Sequence, residues 1–388
     1  QVFCFSIKPL IYAFYVVGAN RGNKFRIFAI MKKTLLLAAI ALFSCAICSA
    51  HTIKATDAKV SYIGRTEINA DEGTVRFDWS ATTLRVRFKG STLKIKCSDS
   101  HKDYFNIWVD KAQCAHQDAT LCVEGDTTLT LFKGKKGVHE VIFQKRTEAE
   151  QGCLTIHEFI TDGQFLDAPK GKGRIIEFIG DSYTCGYGTE APAETSPFLP
   201  EEENPSLTYA DILARYFDAE AVHISHSGRG VVRNYDDLNK HENMVKLYGQ
   251  TFDQFAETPW TPTYTPDIVV IYLGGNDFST GKQPSLSRWC EGYKALIMKV
   301  RKFHGDVPIL CVACKNDETV GAWVKMAVER CGLSGVYAAE INAQAHNNTT
   351  DLGASYHPNY KGHRKIASIM APYIATIMDW QMPFTPYE

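Results

Sequence analysis

The chain has 388 residues, of which 45% are hydrophobic and 22% charged, and its formal net charge at pH 7 is -1. This length predicts two or three domains, and the composition excludes a disordered, collagen-like or low-complexity chain. A near-neutral balance gives no electrostatic pull toward nucleic acid or an anionic membrane, so it favours a neutral substrate. The sequence indicates neither a nucleic-acid partner nor an obligate protein partner.

Residues 31–50 have the pattern of a secretory signal peptide. Met-Lys-Lys at 31–33 is followed by an apolar run over 34–47 and by small residues at 48–50. The run is too short to span a membrane comfortably. We therefore expect a secreted or periplasmic protein, and we interpret residues 1–30 as upstream sequence that is not part of the mature chain.

Two details of the cysteine pattern bear on anchoring and on metal binding. Leu-Phe-Ser-Cys at 42–45 loosely resembles a lipoprotein cleavage box, which leaves a lipid-anchored form open. Of twelve cysteines, three precede residue 51, and the remaining odd number argues against a disulfide framework. Cys311 and Cys314 have zinc-knuckle spacing, but they end a predicted strand, on which residues three apart face opposite sides. We predict no metal and no other cofactor.

From about residue 54 to 167, apolar and polar residues alternate with a period of two, as Val75, Phe77 and Trp79 show. This alternation predicts half-buried antiparallel strands that form an all-β sandwich over residues 51–168. Turns containing Gly or Asp are expected between the strands. The predicted strands are 75–79, 84–88, 93–97, 104–110, 128–132, 138–143 and 153–159.

Residues 166–173 are rich in Pro, Gly and Lys and predict a linker, after which a second domain runs over 174–388. Its strands are continuous apolar runs, which is typical of a parallel sheet covered on both faces. Alternation with helix-period segments predicts a three-layer α/β fold. The predicted strands are 175–179, 221–224, 268–273 and 307–312, and the predicted helices include 207–217 and 289–303.

Polar residues follow three of these strands, at the sheet edge where open α/β folds carry their functional groups. Ser182 comes after the first strand and at the start of a helix, where its own N–H and the helix dipole can face an oxyanion. Gly228 follows the second strand and allows close backbone approach. Asn276 follows the third strand and carries an amide donor. The three predict an oxyanion hole beside a nucleophilic serine.

His357, which precedes Pro358 in a loop before an apolar helix, is the candidate base for Ser182. We interpret its neighbour His363 as a surface or satisfied residue. Each short motif alone is weak, because Gly-Asp-Ser arises readily by chance and His-Pro is common in loops. Their order and their placement at strand ends together indicate a catalytic site.

These four segments resemble the conserved blocks of the SGNH (GDSL) hydrolase superfamily, and the preceding β-sandwich with the extended segment 180–188 is similar to carbohydrate esterase family 2. The resemblance implies a jelly-roll domain followed by an SGNH domain that removes acetyl groups from plant polysaccharides, including xylan. It implies that Ser182 is the nucleophile and His357 the base. Gly228 and Asn276 would complete the oxyanion hole.

One departure from the superfamily pattern concerns the third member of the triad. An aspartate usually stands three residues before the histidine, but this chain has Ala354 there. Because a triad acid orients the imidazole and stabilises its charged form, another group must hold His357. We expect a backbone carbonyl near Ala354, with Asp351 as the less favoured substitute.

Four aromatic residues near these segments are candidates for stacking on sugar rings: Tyr187, Trp260, Trp323 and Tyr356. For Trp323, core packing is the favoured interpretation, because its segment has helical periodicity. Two alternatives to a polysaccharide deacetylase stay open. One is a lipid esterase or thioesterase with the same fold, and the other is a catalytically inactive carbohydrate-binding protein.

Overall fold

The computed structural model describes residues 50–237, 242–313, 318–342 and 347–383. The predicted upstream segment 1–30, the signal segment up to residue 49 and Cys314 lie outside these residues. Within the described ranges, no helix is both long and apolar enough to cross a membrane. The eight described cysteines are all free, so none of them forms a disulfide.

The first part of the chain is all β, as predicted. Its eight strands form one sheet whose strand pairs are antiparallel. Apolar side chains that alternate along the strands, including Phe77, Leu84 and Phe143, form the core of this part. The strands are β1 (His51–Lys54), β2 (Val60–Ile63), β3 (Glu67–Asn69), β4 (Thr74–Phe77), β5 (Thr83–Val109), β6 (Ala119–Lys145), β7 (Leu154–Thr161) and β8 (Gln164–Phe165).

Strands β5 and β6 correct the sequence-based element boundaries, because each is a single strand of 27 residues where several short strands were predicted. The predicted turns are register shifts, such as the one between Gly90 and Thr92, at which pairing continues while the strand bends. The bending carries the end of β5 back to the end of β6, so that Phe105 pairs with both Leu121 and Lys145. The jelly-roll connectivity stays a prediction.

The second part confirms the predicted three-layer α/β architecture. Its five-stranded parallel sheet has the order β10-β9-β11-β12-β13. The strands are β9 (Ile175–Gly180), β10 (Glu220–Ser225), β11 (Ile268–Tyr272), β12 (Ile309–Ala313) and β13 (Val336–Glu340). The helices are α1 (Ser182–Cys185), α2 (Tyr209–Tyr216), α3 (Met244–Leu247), α4 (Leu286–His304), α5 (Glu318–Cys331) and α6 (Tyr360–Met378).

Both faces of this sheet are buried, which explains the continuous apolar runs in its sequence. Val269 and Ile271 of β11 pack into one core with α3, α4 and α5, whereas Val270 and Tyr272 pack into another with α2 and α6. Strand β13 was not predicted; it is an edge strand in which Ala339 is buried and the other residues are partly buried or exposed. Its short apolar stretch, 336–339, ends in two alanines and contains a single β-branched residue, whereas β-branched side chains are enriched in buried strands.

The two parts pack directly against each other within one compact unit. Trp79 of the β-rich part is buried in the core of the α/β part and donates its indole N–H to Thr251 O at 2.9 Å. A buried Arg85 makes a bidentate ion pair with Glu220 at the start of β10, at 2.6 and 2.7 Å. Strand β10 is therefore held by the β-rich part as well as by its own sheet.

Candidate active site

Three strand ends bring the predicted site residues to one edge of the sheet. Gly180, the last residue of β9, pairs with Ser225 at the end of β10 and with Tyr272 at the end of β11. The chain leaves all three strands at the same level, so the segments that follow converge. Ser182, Gly228 and Asn276 line one cleft there.

Ser182 and His357 are in hydrogen-bond contact. Ser182 is the first residue of α1, whose N-cap Asp181 accepts the N–H of Tyr183 at 3.2 Å. The Ser182 Oγ lies 2.8 Å from His357 Nε2, and Nδ1 of the same ring lies 3.0 Å from the backbone oxygen of Ser355. With Nδ1 donating to that carbonyl, Nε2 is left as the acceptor for the serine proton. This is the geometry of a nucleophile and its general base.

The Ser355 carbonyl reaches the imidazole because the loop adopts an uncommon backbone conformation. Ser355 and Tyr356 both have positive φ, of 50° and 60°. Non-glycine residues pay for this conformation with strain, so other contacts must hold it. The N–H of Ser355 donates to Ser196 O at 3.1 Å, and that of Tyr356 donates to Glu194 O at 3.0 Å. A carbonyl near Ala354 therefore faces His357, as the sequence analysis expected.

Ala354 and Asp351, the two positions at which a triad acid was sought, make contacts of a different kind. Ala354 is fully buried and packs closely on Gly188: a Cβ added at Gly188 would lie only 2.3 Å from the Ala354 Cβ. Asp351 is buried and accepts hydrogen bonds from Lys365 Nζ at 2.5 Å and Asn348 Nδ2 at 3.2 Å. The pKa of Asp351 is lowered because these bonds outweigh its burial. The Asp351 carboxylate thus pairs with a lysine of helix α6.

Two tyrosine rings contact the His357 imidazole. The centroid of the Tyr187 ring lies 4.5 Å from that of the imidazole, and Tyr187 in turn stacks on Phe198 with ring centroids 4.0 Å apart. The Tyr183 ring meets the imidazole edge-on at 5.5 Å. These rings restrict the rotation of His357 about its side-chain bonds, so they add to the single orienting hydrogen bond at Nδ1.

Gly228 and Asn276, the other two oxyanion-hole candidates, also line the cleft. Gly228 has a φ of 77°, in the left-handed region that glycine adopts without strain. The Asn276 amide nitrogen donates to Asp181 Oδ2 at 3.1 Å and to Arg229 O at 3.0 Å. Donation from Asn276 to a substrate oxyanion therefore requires that one of these bonds be exchanged.

Asp277, next to Asn276, has a structural role that the sequence analysis did not identify. Its carboxylate accepts the backbone N–H groups of Val231, Val232 and Arg233 at 2.8 to 3.0 Å. Burial raises its pKa to about 6 although these bonds lower it. The Gly-Gly-Asn-Asp pattern by itself indicates only a turn. The loop that Asp277 holds comes more than forty residues earlier in the chain, so no local pattern reveals this role.

The cleft has a volume of about 620 Å³. Of the four aromatic candidates, Tyr187 and Tyr356 line it, and Tyr356 is 63% exposed. The structure adds Tyr235, which also lines the cleft and is 61% exposed. The full lining is Asp181, Ser182, Tyr183, Tyr187, Ser227, Gly228, Tyr235, Gly275, Asn276, Ser355, Tyr356 and His357.

The structure does not bring Trp260 or Trp323 to this cleft. Trp260 is buried beneath the Arg65 guanidinium, which lies 3.8 Å from its ring centroid. Trp323 packs against Phe278 at 4.9 Å and Trp289 at 5.8 Å, on the helical face that its periodicity indicated. Both rings serve the core, so neither is a sugar platform in this cleft.

His226, two residues before Gly228, lies in a buried polar cluster. Its Nδ1 contacts Asp253 Oδ2, and its Nε2 lies 3.4 Å from Glu150 Oε1. Burial alone would lower the pKa of His226, but the charge and hydrogen bond of Asp253, the hydrogen bond to Glu150 and the charge of Glu148 raise it to about 10. The imidazole is therefore a buried cation at neutral pH.

This cation predicts a pH-dependent stability. The folded-state pKa of His226 lies above the unfolded value of 6.5, so its stabilising contribution is complete below pH 6.5 and is lost as pH rises through about 10. We expect the free energy of unfolding, measured by urea denaturation, to fall between pH 7 and pH 10. His226→Asn should be less stable at pH 7 and should show a smaller fall. Equal pH slopes in the two proteins would contradict this assignment.

Comparisons with known proteins agree with this arrangement. The family model for the N-terminal region of carbohydrate esterase 2 matches residues 62–169, and that for the GDSL-like lipase/acylhydrolase family matches residues 178–365. A solved family two carbohydrate esterase from Clostridium thermocellum, in complex with cellohexaose, superposes with a TM-score of 0.76 at 29% identity. The superposition covers 83% of this chain and 100% of the chain in that structure.

Two curated relatives are similar over most of the chain. Cellulase/esterase CelE of Acetivibrio thermocellus is 30% identical over 340 residues, which are 83% of this chain and 40% of CelE. An acetylxylan esterase/glucomannan deacetylase of Cellvibrio japonicus is 27% identical over 348 residues, 86% of this chain and 92% of that protein. The chain thus spans less than half of CelE but nearly all of the second relative. Residues 178–365 thus match the GDSL-like (SGNH) hydrolases, and the chain as a whole resembles carbohydrate esterase family 2.

Proposed function

We propose that this protein is a serine esterase that removes O-acetyl groups from plant polysaccharide such as xylan or glucomannan. The observation that carries the proposal is the 2.8 Å contact between Ser182 Oγ and His357 Nε2 in a cleft that Gly228 and Asn276 also line. The names of the similar proteins, a carbohydrate esterase with bound cellohexaose and an acetylxylan esterase/glucomannan deacetylase, support the carbohydrate substrate.

The first half of the reaction forms an acetyl-enzyme. His357 Nε2 takes the proton of Ser182 as its Oγ attacks the acetyl carbonyl carbon, and the carbonyl oxygen becomes an oxyanion. The N–H groups of Ser182 and Gly228 and the Asn276 amide stabilise that oxyanion. The bond between the carbonyl carbon and the sugar oxygen then breaks. His357 returns its proton to the sugar oxygen, which leaves as a hydroxyl.

The second half releases acetate. A water molecule gives a proton to His357 Nε2 and attacks the acetyl-enzyme carbonyl, and the same donors stabilise the second oxyanion. The ester bond to Ser182 breaks, and the imidazolium returns its proton to Oγ. The Ser355 carbonyl, 3.0 Å from Nδ1, stabilises the imidazolium in both halves.

The lining of the cleft favours a small acyl group. All twelve lining residues are Gly, Ser, Asp, Asn, His or Tyr, so the part of the wall that the structure describes contains no aliphatic side chain. A long acyl chain gains its binding energy from apolar surface. The cleft therefore supports an acetyl ester better than the lipid ester or thioester of the alternative interpretation.

The exposed tyrosines favour a sugar as the alcohol part of the ester. Tyr356 and Tyr235 present large, mostly exposed rings at the cleft. An aromatic ring with one polar group suits the apolar face and hydroxyl rim of a pyranose. We infer that these two rings, with the half-buried Tyr187, contact the polysaccharide beside the acetylated position.

The decisive test is acetate release from acetylated xylan, glucomannan and pectin by the purified protein, with Ser182→Ala as the control. We expect release from at least one plant polysaccharide. Ser182→Ala should reduce it by about 10⁴-fold or more, because the covalent route is then lost. Equal release by the two proteins would exclude Ser182 chemistry and would leave a carbohydrate-binding protein as the better interpretation.

A comparison of p-nitrophenyl acetate with p-nitrophenyl octanoate separates the deacetylase from a lipid esterase. A preference for acetate of about 100-fold or more in kcat/KM is expected, because the octanoyl chain finds no aliphatic wall in the cleft. Efficient octanoate hydrolysis would overturn the deacetylase proposal and leave the serine esterase mechanism in place.

We further propose that the protein is exported by a signal peptide. Residues 31–50 support the proposal through their basic, apolar and small-residue order. Expression of the full sequence in a bacterial host, followed by N-terminal sequencing of the processed protein, tests it. Recovery of an uncleaved protein in the cytoplasm would contradict it.

A further inference from the structure

A loop of the β-rich part reaches beneath the turn that carries Gly228. Glu148 follows the end of β6 and is buried, with 2% of its surface exposed. Its Oε2 accepts the backbone N–H of Ser227 at 2.7 Å. Ser227 directly precedes Gly228, so this bond holds the peptide next to the proposed oxyanion donor.

The Glu148 carboxylate lies in a shell of polar groups that carry protons. The Cys185 thiol donates to the same Oε2 at 3.4 Å, and the backbone N–H of Glu148 donates to Glu203 Oε2 at 3.1 Å. Burial and the neighbouring Glu148 charge raise the pKa of Glu203 well above its usual range, and burial raises that of Cys185. Burial and the Glu148 charge therefore favour the neutral forms of Glu203 and Cys185.

The Gly228 turn needs such an anchor because glycine restrains it little. A φ of 77° is one of several conformations that glycine adopts at similar energy. Other contacts of the turn involve the Gly228 carbonyl and the flanking residues: Tyr235 N–H to Gly228 O at 2.7 Å, Arg229 N–H to His226 O at 3.3 Å, His226 N–H to Gly180 O at 3.4 Å and Asn276 Nδ2 to Arg229 O at 3.0 Å. None of these bonds uses the N–H of Ser227, which Glu148 holds. An oxyanion hole works by preorganisation, so rotation of this turn weakens catalysis without blocking substrate entry.

We propose that Glu148 is a positioning residue of the oxyanion hole, and that the β-rich part thereby takes part in catalysis by the α/β part. The carboxylate fixes Ser227 N–H and so keeps the Gly228 N–H aimed at the cleft. The proposal rests on the serine esterase function proposed above. It gives the β-rich part a task that is independent of any contact with polysaccharide.

The experiment compares Glu148→Ala and Glu148→Gln in steady-state hydrolysis of p-nitrophenyl acetate, a substrate too small to need a polysaccharide site. In Glu148→Ala we expect kcat to fall by about 10- to 100-fold with KM within about twofold, because only transition-state stabilisation is lost. Glu148→Gln keeps an acceptor oxygen for Ser227 N–H, so its kcat should recover to within about fivefold of the wild type.

Glu220→Gln is the matched control. Glu220 is also a buried carboxylate that joins β10 to the β-rich part, through Arg85, but it lies at the start of β10 and far from the Gly228 turn. We expect this variant to lose thermal stability and to retain the kcat of the wild type per folded molecule. A fall in kcat equal to that of Glu148→Ala would show that packing between the two parts, and not the turn, controls the rate.

Glu148→Asp keeps the charge, but its side chain is shorter by one methylene, so the carboxylate lies farther from Ser227 N–H. This variant replaces Glu148→Ala in the experiment if Glu148→Ala does not fold. The proposal requires kcat to rank Gln above Asp; the reverse order would overturn it, because charge would then matter more than acceptor position. Unchanged kcat in folded Glu148→Ala would overturn it as well. If the wild type hydrolyses the ester but the variants contradict the role of Glu148, the esterase function still stands. If the wild type itself is inactive, the esterase function is wrong.

Discussion

Replacement of His357 with alanine is expected to lower kcat for acetyl ester hydrolysis by about 10⁴-fold or more, whereas Asp351→Asn keeps kcat within about threefold of the wild type. His357 Nε2 is the group in contact with Ser182 Oγ, at 2.8 Å. Its Nδ1 is held by Ser355 O at 3.0 Å, and Asp351 binds Lys365 instead. The catalytic unit is therefore a pair of side chains and one carbonyl.

Steady-state kinetics with p-nitrophenyl acetate, normalised by urea-gradient measurement of the folded fraction, checks this contrast. Asp351→Asn should lower the stability of the folded state, because its charge faces Lys365 and Lys361 at the base of α6. Serine hydrolases that use a triad aspartate lose about 10⁴-fold when it becomes asparagine. A loss of that size in Asp351→Asn would show that Asp351 supports His357 in solution and would contradict the carbonyl assignment.

The parts of the site that sequence predicts best are those fixed by the sheet. Ser182, Gly228 and Asn276 each follow an apolar run, and parallel strands place their carboxyl ends at one edge. In-register pairing of Gly180 with Ser225 and Tyr272 then makes the three segments converge. A one-dimensional pattern is sufficient here, because it specifies both the strand and the position at which the strand ends.

Other features depend on contacts between distant segments, and no local pattern encodes them. Trp260 lies close to a predicted strand in sequence but is buried under Arg65 of the β-rich part. The Ser227 N–H meets Glu148, which comes 79 residues earlier in the chain. The long strand β5 looks interrupted in sequence because Gly90 marks a register shift, and a shift and a turn have similar composition. Tertiary packing decides each of these cases.

The missing triad acid is a further case, and the structure supplies its physical reason. Ala354 packs against Gly188, and the Ala354 N–H donates to Gly188 O at 3.2 Å. The loop that carries His357 thus lies closely against the segment after α1. Little room is left for a larger side chain at position 354, and the imidazole Nδ1 already has the Ser355 carbonyl as its partner.

Ala354→Asp is therefore expected to impair the enzyme rather than to complete a triad. The new carboxylate would enter a fully buried position beside the Gly188 backbone, and an unpaired buried charge costs about 3–5 kcal/mol of folding stability. Relief of the clash must move the loop, and with it His357. A displacement of about 1 Å is enough to reduce kcat by about 100-fold.

Urea denaturation and p-nitrophenyl acetate kinetics measure both effects, and Ala354→Ser is the matched control. Serine adds a single uncharged oxygen, so we expect a smaller loss of stability and a kcat within about tenfold of the wild type. If Ala354→Asp raised kcat above the wild type, the aspartate would have displaced the Ser355 carbonyl from Nδ1. The loop would then have to be flexible enough to accept a conventional triad, in conflict with its contacts to Gly188, Glu194 and Ser196.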